Sequence, residues 1–105
     1  MLHEREIQIL NILSGSEEAM TSADIVEAGN RLSQSTVQVV LRKMLGQGFI
    51  ETHEVKYSGN VLSRAYRPTD KVKREAAQQV ADYVSQMGNI IGVEKVKQIE
   101  DILLK

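Results

Sequence analysis

Along most of this chain apolar residues recur at intervals of three and four, the spacing of one helix face. From His3 to Leu13, Ile7, Ile9, Leu10, Ile12 and Leu13 predict a helix with a wide buried stripe that stops at Ser14-Gly15-Ser16. Residues 17–20 read as a connector with a residue or two of strand. Thr21-Ser22-Ala23-Asp24 has the hydroxyl-x-x-acid spacing that opens a helix. Ile25, Val26 and Ala28 give that helix a short core-facing side, and Gly29-Asn30 ends it. A longer helix follows, with Ser33 as N-cap and Gly48 suited to the left-handed residue that closes it. Its apolar stripe is Val37, Val40, Leu41, Met44 and Leu45. The other face carries Gln34, Ser35, Gln38, Val39 and Arg42, with Lys43 at the edge of the stripe.

After Gly48 the period drops to two, as expected of a half-buried strand. Phe49 to Lys56 and Val61 to Arg67 read as two strands joined by a turn at Tyr57-Ser58-Gly59-Asn60, and Pro68 ends the second. Thr69 caps a helix from about Asp70 to Met87, which Gly88-Asn89 breaks. Ile90-Ile91-Gly92 leads into a last helix with Val93, Val96, Ile99, Ile102 and Leu103 on one side. A short helix, a turn of three or four residues, a longer helix with a polar outer face and then a hairpin is the winged helix-turn-helix order. The expected fold is therefore mainly α with a small β-hairpin. A winged-helix DNA-binding domain over 1–69 precedes two C-terminal dimerisation helices over 70–105.

The formal net charge of −1 looks unsuited to a nucleic-acid binder until it is divided along the chain. Residues 1–30 hold one basic and six acidic residues, net −5; residues 31–74 hold nine and three, net +6; residues 75–105 hold three and five, net −2. Phosphate attraction acts within about a Debye length, roughly 8–10 Å, so a basic middle can serve inside a nearly neutral protein. The absence of Cys excludes disulfides and thiolate metal sites. No apolar run approaches the roughly 20 residues that span a bilayer, and no basic-plus-apolar leader opens the chain. We expect a soluble, cytoplasmic protein with no membrane partner, no cofactor and no metal site.

The outer face of the third helix has side chains suited to base edges. Gln pairs with adenine, Arg with guanine, Ser with several bases, and a small apolar residue meets the thymine methyl. Gln34, Ser35, Gln38, Val39 and Arg42 are the expected base readers. Ser33, Thr36, Lys43, Lys56, Tyr57, Asn60, Arg64 and Arg67 are expected on phosphate from the helix start and the wing. The first turn has no acid, which leaves its N–H groups free for an anion. An amphipathic helix with a merely solvated polar face would look the same in isolation. A docking domain that never touches nucleic acid would favour exposed aromatic or aliphatic anchors on this face, where Gln, Ser, Arg and Lys dominate. Catalysis finds little: His3 and His53 are the only imidazoles, with no phosphate loop, H-x-x-x-H pair or nucleophile elbow.

The stretch Leu32 to Met44 with Gly48-Phe49-Ile50 resembles the S-x-x-T-V-x-x-x-L-x-x-L-x-x-K-G core of the penicillinase repressor family, which includes methicillin-resistance and copper-responsive repressors. Glu4-Arg5-Glu6-Ile7-Gln8-Ile9-Leu10 looks like its first helix, and Tyr66-Arg67-Pro68 like the end of its wing. The likeness covers residues 2–70 well and the last 35 loosely. It implies a homodimer that represses transcription by covering a palindromic operator on double-stranded DNA. A ligand-responsive winged helix of another family is the alternative. The expected dimer contacts are Val72, Ala76, Val80, Tyr83, Val84, Met87, Val96, Ile99, Ile102 and Leu103, because two apolar helices beyond a complete winged helix have little to cover within one subunit. The copper-responsive branch carries C-terminal Cys motifs, and this chain has none. The β-lactam-responsive branch is cut at an Asn-Phe bond, whereas Asn11, Asn30, Asn60 and Asn89 precede Ile, Arg, Val and Ile. Release is then expected through a small-molecule effector that changes the angle between two DNA-binding units, or through a different protease. Tyr57, Tyr66 and Tyr83 are candidates to line an effector pocket between the wing and the last helices, with ordinary packing as the alternative.

Overall fold

The computed structural model describes residues 1–29 and 31–104; Asn30, expected at the end of the second helix, and Lys105, the last residue of the expected dimerisation region, lie outside the described residues. The elements are α1 (Glu4–Ser14), β1 (Met20–Thr21), α2 (Ser22–Ala28), α3 (Gln34–Gln47), β2 (Ile50–Ser58), β3 (Val61–Pro68) and α4 (Asp70–Leu103). The three strands form one antiparallel sheet in the order β1-β3-β2, so the expected hairpin gains a third, two-residue strand. One core lies between α1, α2, α3 and the base of the sheet, with Ile9, Ile25, Val37 and Met44 at 0% exposure.

Local chemistry sets the helix ends. Thr21 N donates to Asp24 Oδ2 at 3.0 Å and Asp24 N to Thr21 Oγ1 at 3.2 Å, a reciprocal cap on α2. Thr36 N donates to Ser33 Oγ at 3.1 Å, and Gly48 closes α3 at φ 75°. Five residues, not three or four, separate α2 from α3, and Arg31 among them takes φ 68°. Two expected core positions face solvent instead. The inward side of α1 is Glu6, Ile9, Leu10 and Leu13, and Ile7, about a third of a turn away, is exposed. Only Ile25 of α2 is fully buried, and Ala28 lies outside. Glu6 sits inside because its Oε1 accepts from His3 N at 3.0 Å, capping α1.

The wing differs from expectation at its tip. β2 runs on through Tyr57 to Ser58, which leaves a two-residue loop, Gly59-Asn60, with Gly59 at φ 65°. At the base, Thr52 faces Tyr66 while Glu54 faces Ala65, so His53 is the extra residue of a bulge. The bulge turns the strand, and beyond it Val55 and Tyr57 face Arg64 and Leu62 across the hairpin.

The start of α4 is stapled to the end of α3. Thr69 N donates to Phe49 O at 3.1 Å, Thr69 Oγ1 to Gly48 O at 2.6 Å and Lys71 Nζ to Gln47 O at 2.6 Å. Two turns on, Gln79 clamps the backbone of Leu2, accepting from its N at 2.6 Å and donating to its O at 2.9 Å. Val72 is 4% exposed within the core and Ala76 packs against it. Both help to fix α4 to its own subunit, and Val72, expected at the dimer contact, is buried there in the core while Ala76 is half-buried. Beyond Gln79 the helix leaves the body, and the radius of gyration is 16.4 Å against about 13 Å for a compact chain of this length.

The break in α4 falls at Gly92, not at Gly88-Asn89. Gly88 and Asn89 stay helical, as do Ile90 and Ile91, and Gly92 takes φ 81°, ψ 158°. That conformation is open essentially to glycine alone. The arm from residue 93 turns back, and Val96 Cγ2 comes within 3.8 Å of the Cβ position above Gly88. Gly92→Ala, which adds strain of about 1–3 kcal/mol to this kink, is expected to straighten the helix. Spin labels at Ser85 and Gln98 should then move to about 20 Å apart along the axis; an unchanged distance would show that the arm is held by other contacts. No helix among the described residues is long and apolar enough to cross a membrane.

Candidate nucleic-acid interface

The polar face of α3 is held outward by the burial of the opposite one. Val37, Leu41 and Met44 are at most 3% exposed, and each contributes about 1.5–3 kcal/mol through burial. Their spacing turns Gln34, Ser35, Gln38, Val39 and Arg42 into solvent, Val39 at 63% exposure. No acidic residue stands in the first turn of α3.

The wing lies alongside. Gln38 and Arg42 from α3, Arg64 and half-buried Tyr66 from β3, and Ser22 at the start of α2 line one cleft, floored by Leu41 and Leu45. Two elements, α3 and β3, thus place two guanidiniums and an amide on one concave surface, and α2 adds a hydroxyl. Among the described residues neither Arg42 nor Arg64 has an acidic partner within ion-pair distance. Ser22 was absent from the sequence-based expectation, because its hydroxyl read only as part of the α2 opening. Nothing in the chain order could have placed it beside α3.

Other expected phosphate contacts are already engaged. Lys56 is not at the wing tip: its Nζ donates to Ala19 O at 2.6 Å and lies 3.3 Å from Glu18 Oε2 and 3.5 Å from Glu54 Oε1. Partial burial acts to lower its pKa. The hydrogen bond and charge of Glu18, with the charge of Glu54, outweigh that and hold the ammonium above its ordinary value. Lys56 therefore braces the wing against the loop before β1. Arg67 Nε donates to Glu51 Oε1 at 2.8 Å, and Lys43 Nζ lies 3.8 Å from the buried Glu6. Such partly exposed pairs are weak and exchangeable, about 0–1 kcal/mol. Ser33 and Thr36 are engaged with each other at the helix start, while Tyr57 and Asn60 stand exposed on the wing. The three tyrosines do not gather in one pocket. Tyr57 is on the wing, Tyr66 beside Arg42 and Arg64, and Tyr83 on the outer part of α4.

Similar folds occur in solved structures of other bacterial proteins. A PadR family transcription regulator from hypervirulent Clostridium difficile R20291 matches with TM-score 0.54 and 20% identity, over 82% of this chain and 96% of that one. The smu.1704 protein of Streptococcus mutans UA159 matches with TM-score 0.53 and 19% identity, over 84% and 83%. ZitR of Lactococcus lactis, a zinc-responsive MarR family member, matches with TM-score 0.53 and 25% identity, over 98% and 72%. No curated protein matches in sequence. The family described as penicillinase repressor matches residues 2–98, from the buried Leu2 through the cleft between α3 and the wing and on past the kink in α4. The fold, the outward polar face and that match agree: this chain belongs to the penicillinase repressor family and is a winged-helix, DNA-binding transcription regulator.

Proposed function

We propose that the protein is a repressor that covers a palindromic operator as a homodimer, with residues 1–69 as the DNA-binding unit and 70–105 as the dimerisation region. The observation that carries this reading is the cleft that joins Gln38 and Arg42 of α3 to Arg64 of the wing. In it, α3 enters the major groove with Gln34, Ser35, Gln38, Val39 and Arg42 at base edges, and Arg64 meets the flanking phosphate. Dimerisation uses the part of α4 beyond Gln79. There Val80, Tyr83, Met87 and Ile90 follow one another at helical spacing, and Val80, Tyr83 and Ile90 are 54%, 59% and 78% exposed. Ile99, Ile102 and Leu103 extend the apolar surface past the kink. Because α4 is bonded to the last residues of α3, the angle at which two copies meet sets the spacing of their reading helices.

Selection of bound sequences from random duplexes tests this. The wild-type chain is expected to yield a two-fold consensus. Gln38→Ala should relax one position of each half-site by about 1–3 kcal/mol. Arg64→Ala should weaken all sequences alike and lower the salt slope by about one, and Lys56→Ala should do so less, since its charge is already paired. No consensus from the wild-type chain would reject the reading; a consensus unmoved by Gln34, Gln38 and Arg42 variants would reject the reading face.

A further inference from the structure

Among the contacts of the described residues, Gln34 is the one member of the proposed reading face whose head group is tied to another element. Its Nε2 donates to Ser22 Oγ at 2.9 Å, across the helix-turn-helix, twelve residues apart in sequence. Ser22 is half-buried and takes no part in the reciprocal cap of α2, which Thr21 and Asp24 make between themselves. Its hydroxyl is therefore free for Gln34, and it lies in the same cleft as Gln38, Arg42 and Arg64.

We infer that Ser22 is a specificity-positioning residue: it fixes the rotamer and the amide orientation of Gln34, and thereby makes that position of the half-site an adenine. A free glutamine on an exposed helix face rotates among many conformers and presents oxygen or nitrogen to a base with little preference. In the observed arrangement one Nε2 hydrogen goes to Ser22, which pins the side chain in one rotamer. That arrangement leaves Oε1 as an acceptor and the second Nε2 hydrogen as a donor, the pair that matches adenine N6 and N7. The ordering is complete before DNA arrives, so binding loses less side-chain freedom. Ser22 itself acts only through Gln34. This inference rests on the proposed reading face.

The experiment is base selection at the Gln34 position by wild type, Ser22→Ala, Ser22→Thr, Gln34→Ala and the double variant Ser22→Ala/Gln34→Ala, with thermal unfolding of each. Alanine suits the first turn of a helix and threonine keeps the hydroxyl, so both are expected to fold like the wild type. Ser22→Ala should lower the preference for adenine at that one position by about two- to tenfold, the scale of immobilising one long side chain. Ser22→Thr should keep it, and the double variant should bind no worse than Gln34→Ala. A consensus that changes with Gln34→Ala but not with Ser22→Ala overturns the positioning role alone. Additive losses in the double variant overturn it too, since Ser22 would then meet DNA independently. A base other than adenine at that position refutes the amide orientation. No consensus for the wild type removes the proposed function, and this inference falls with it.

Discussion

Val80→Asp is expected to leave a folded chain that sediments as a monomer and has lost most of its affinity for a two-fold operator. In one subunit Val80 is 54% exposed, so a carboxylate there meets water and the core is untouched. In a dimer along Val80, Tyr83, Met87 and Ile90 the same carboxylate is buried without a partner, which costs about 3–5 kcal/mol. Losing the second half-site removes the gain from tethering two readers, on the order of 10²–10⁴ in affinity. Val72→Asp is the control. At 4% exposure, Val72 belongs to the core of its own subunit, and that change should unfold the chain rather than split a dimer. Sedimentation at micromolar concentration separates the cases, and a wild-type monomer there would remove the dimer from the proposal.

Met44→Ala is expected to cost about 2–5 kcal/mol in urea unfolding, a large part of the 5–15 kcal/mol typical of a small domain. Met44 is 0% exposed, in a cluster with Val37, Leu41, Phe49 and Ile50. Truncation there leaves a cavity beneath the helix that presents the reading face. Val39→Ala, five residues earlier and 63% exposed, should stay within about 0.5 kcal/mol of the wild type in stability. Its effect belongs in base preference, through the loss of apolar surface toward a thymine methyl. Equal destabilisation by the two changes would mean that α3 is rotated about its axis and presents other residues to DNA.

Much of this architecture is legible because its signals are local. The hydroxyls of Thr21, Ser33 and Thr69 each accept a backbone N–H three residues on, and Gly48 closes α3 in the left-handed region, all as the residue order predicts. The stripe Val37, Leu41, Met44 states which side of α3 is buried, and so which side is free. Periodicity was less able to choose between neighbours that both look apolar. Ile7 and Ala28 fall outside because a helix face is about a third of its circumference wide and another residue, Glu6 in α1, occupies the inward position. The position of the break in α4 is not legible in the residue order for a related reason. Glycine permits a kink without requiring one, and of Gly88 and Gly92 only the second adopts a conformation that other residues avoid.

Helix caps, strand periods and the outward polarity of α3 follow from interactions within a few residues, so residue order alone decides them. Which cations remain free for phosphate does not. Lys56, Arg67 and Lys43 have the same formal charge as Arg42 and Arg64, yet folding sets Glu18, Glu51 and Glu6 beside the first three. Val72 and Ala76 share the helical repeat of Val80 and Tyr83, but stapling Thr69 and Lys71 to the end of α3 turns the first pair into core. Ser22 meets Gln34 only because α2 crosses the start of α3. In each case the deciding partner is distant along the chain, and an interaction that depends on distance in space leaves no periodic or spacing signal in the order of residues.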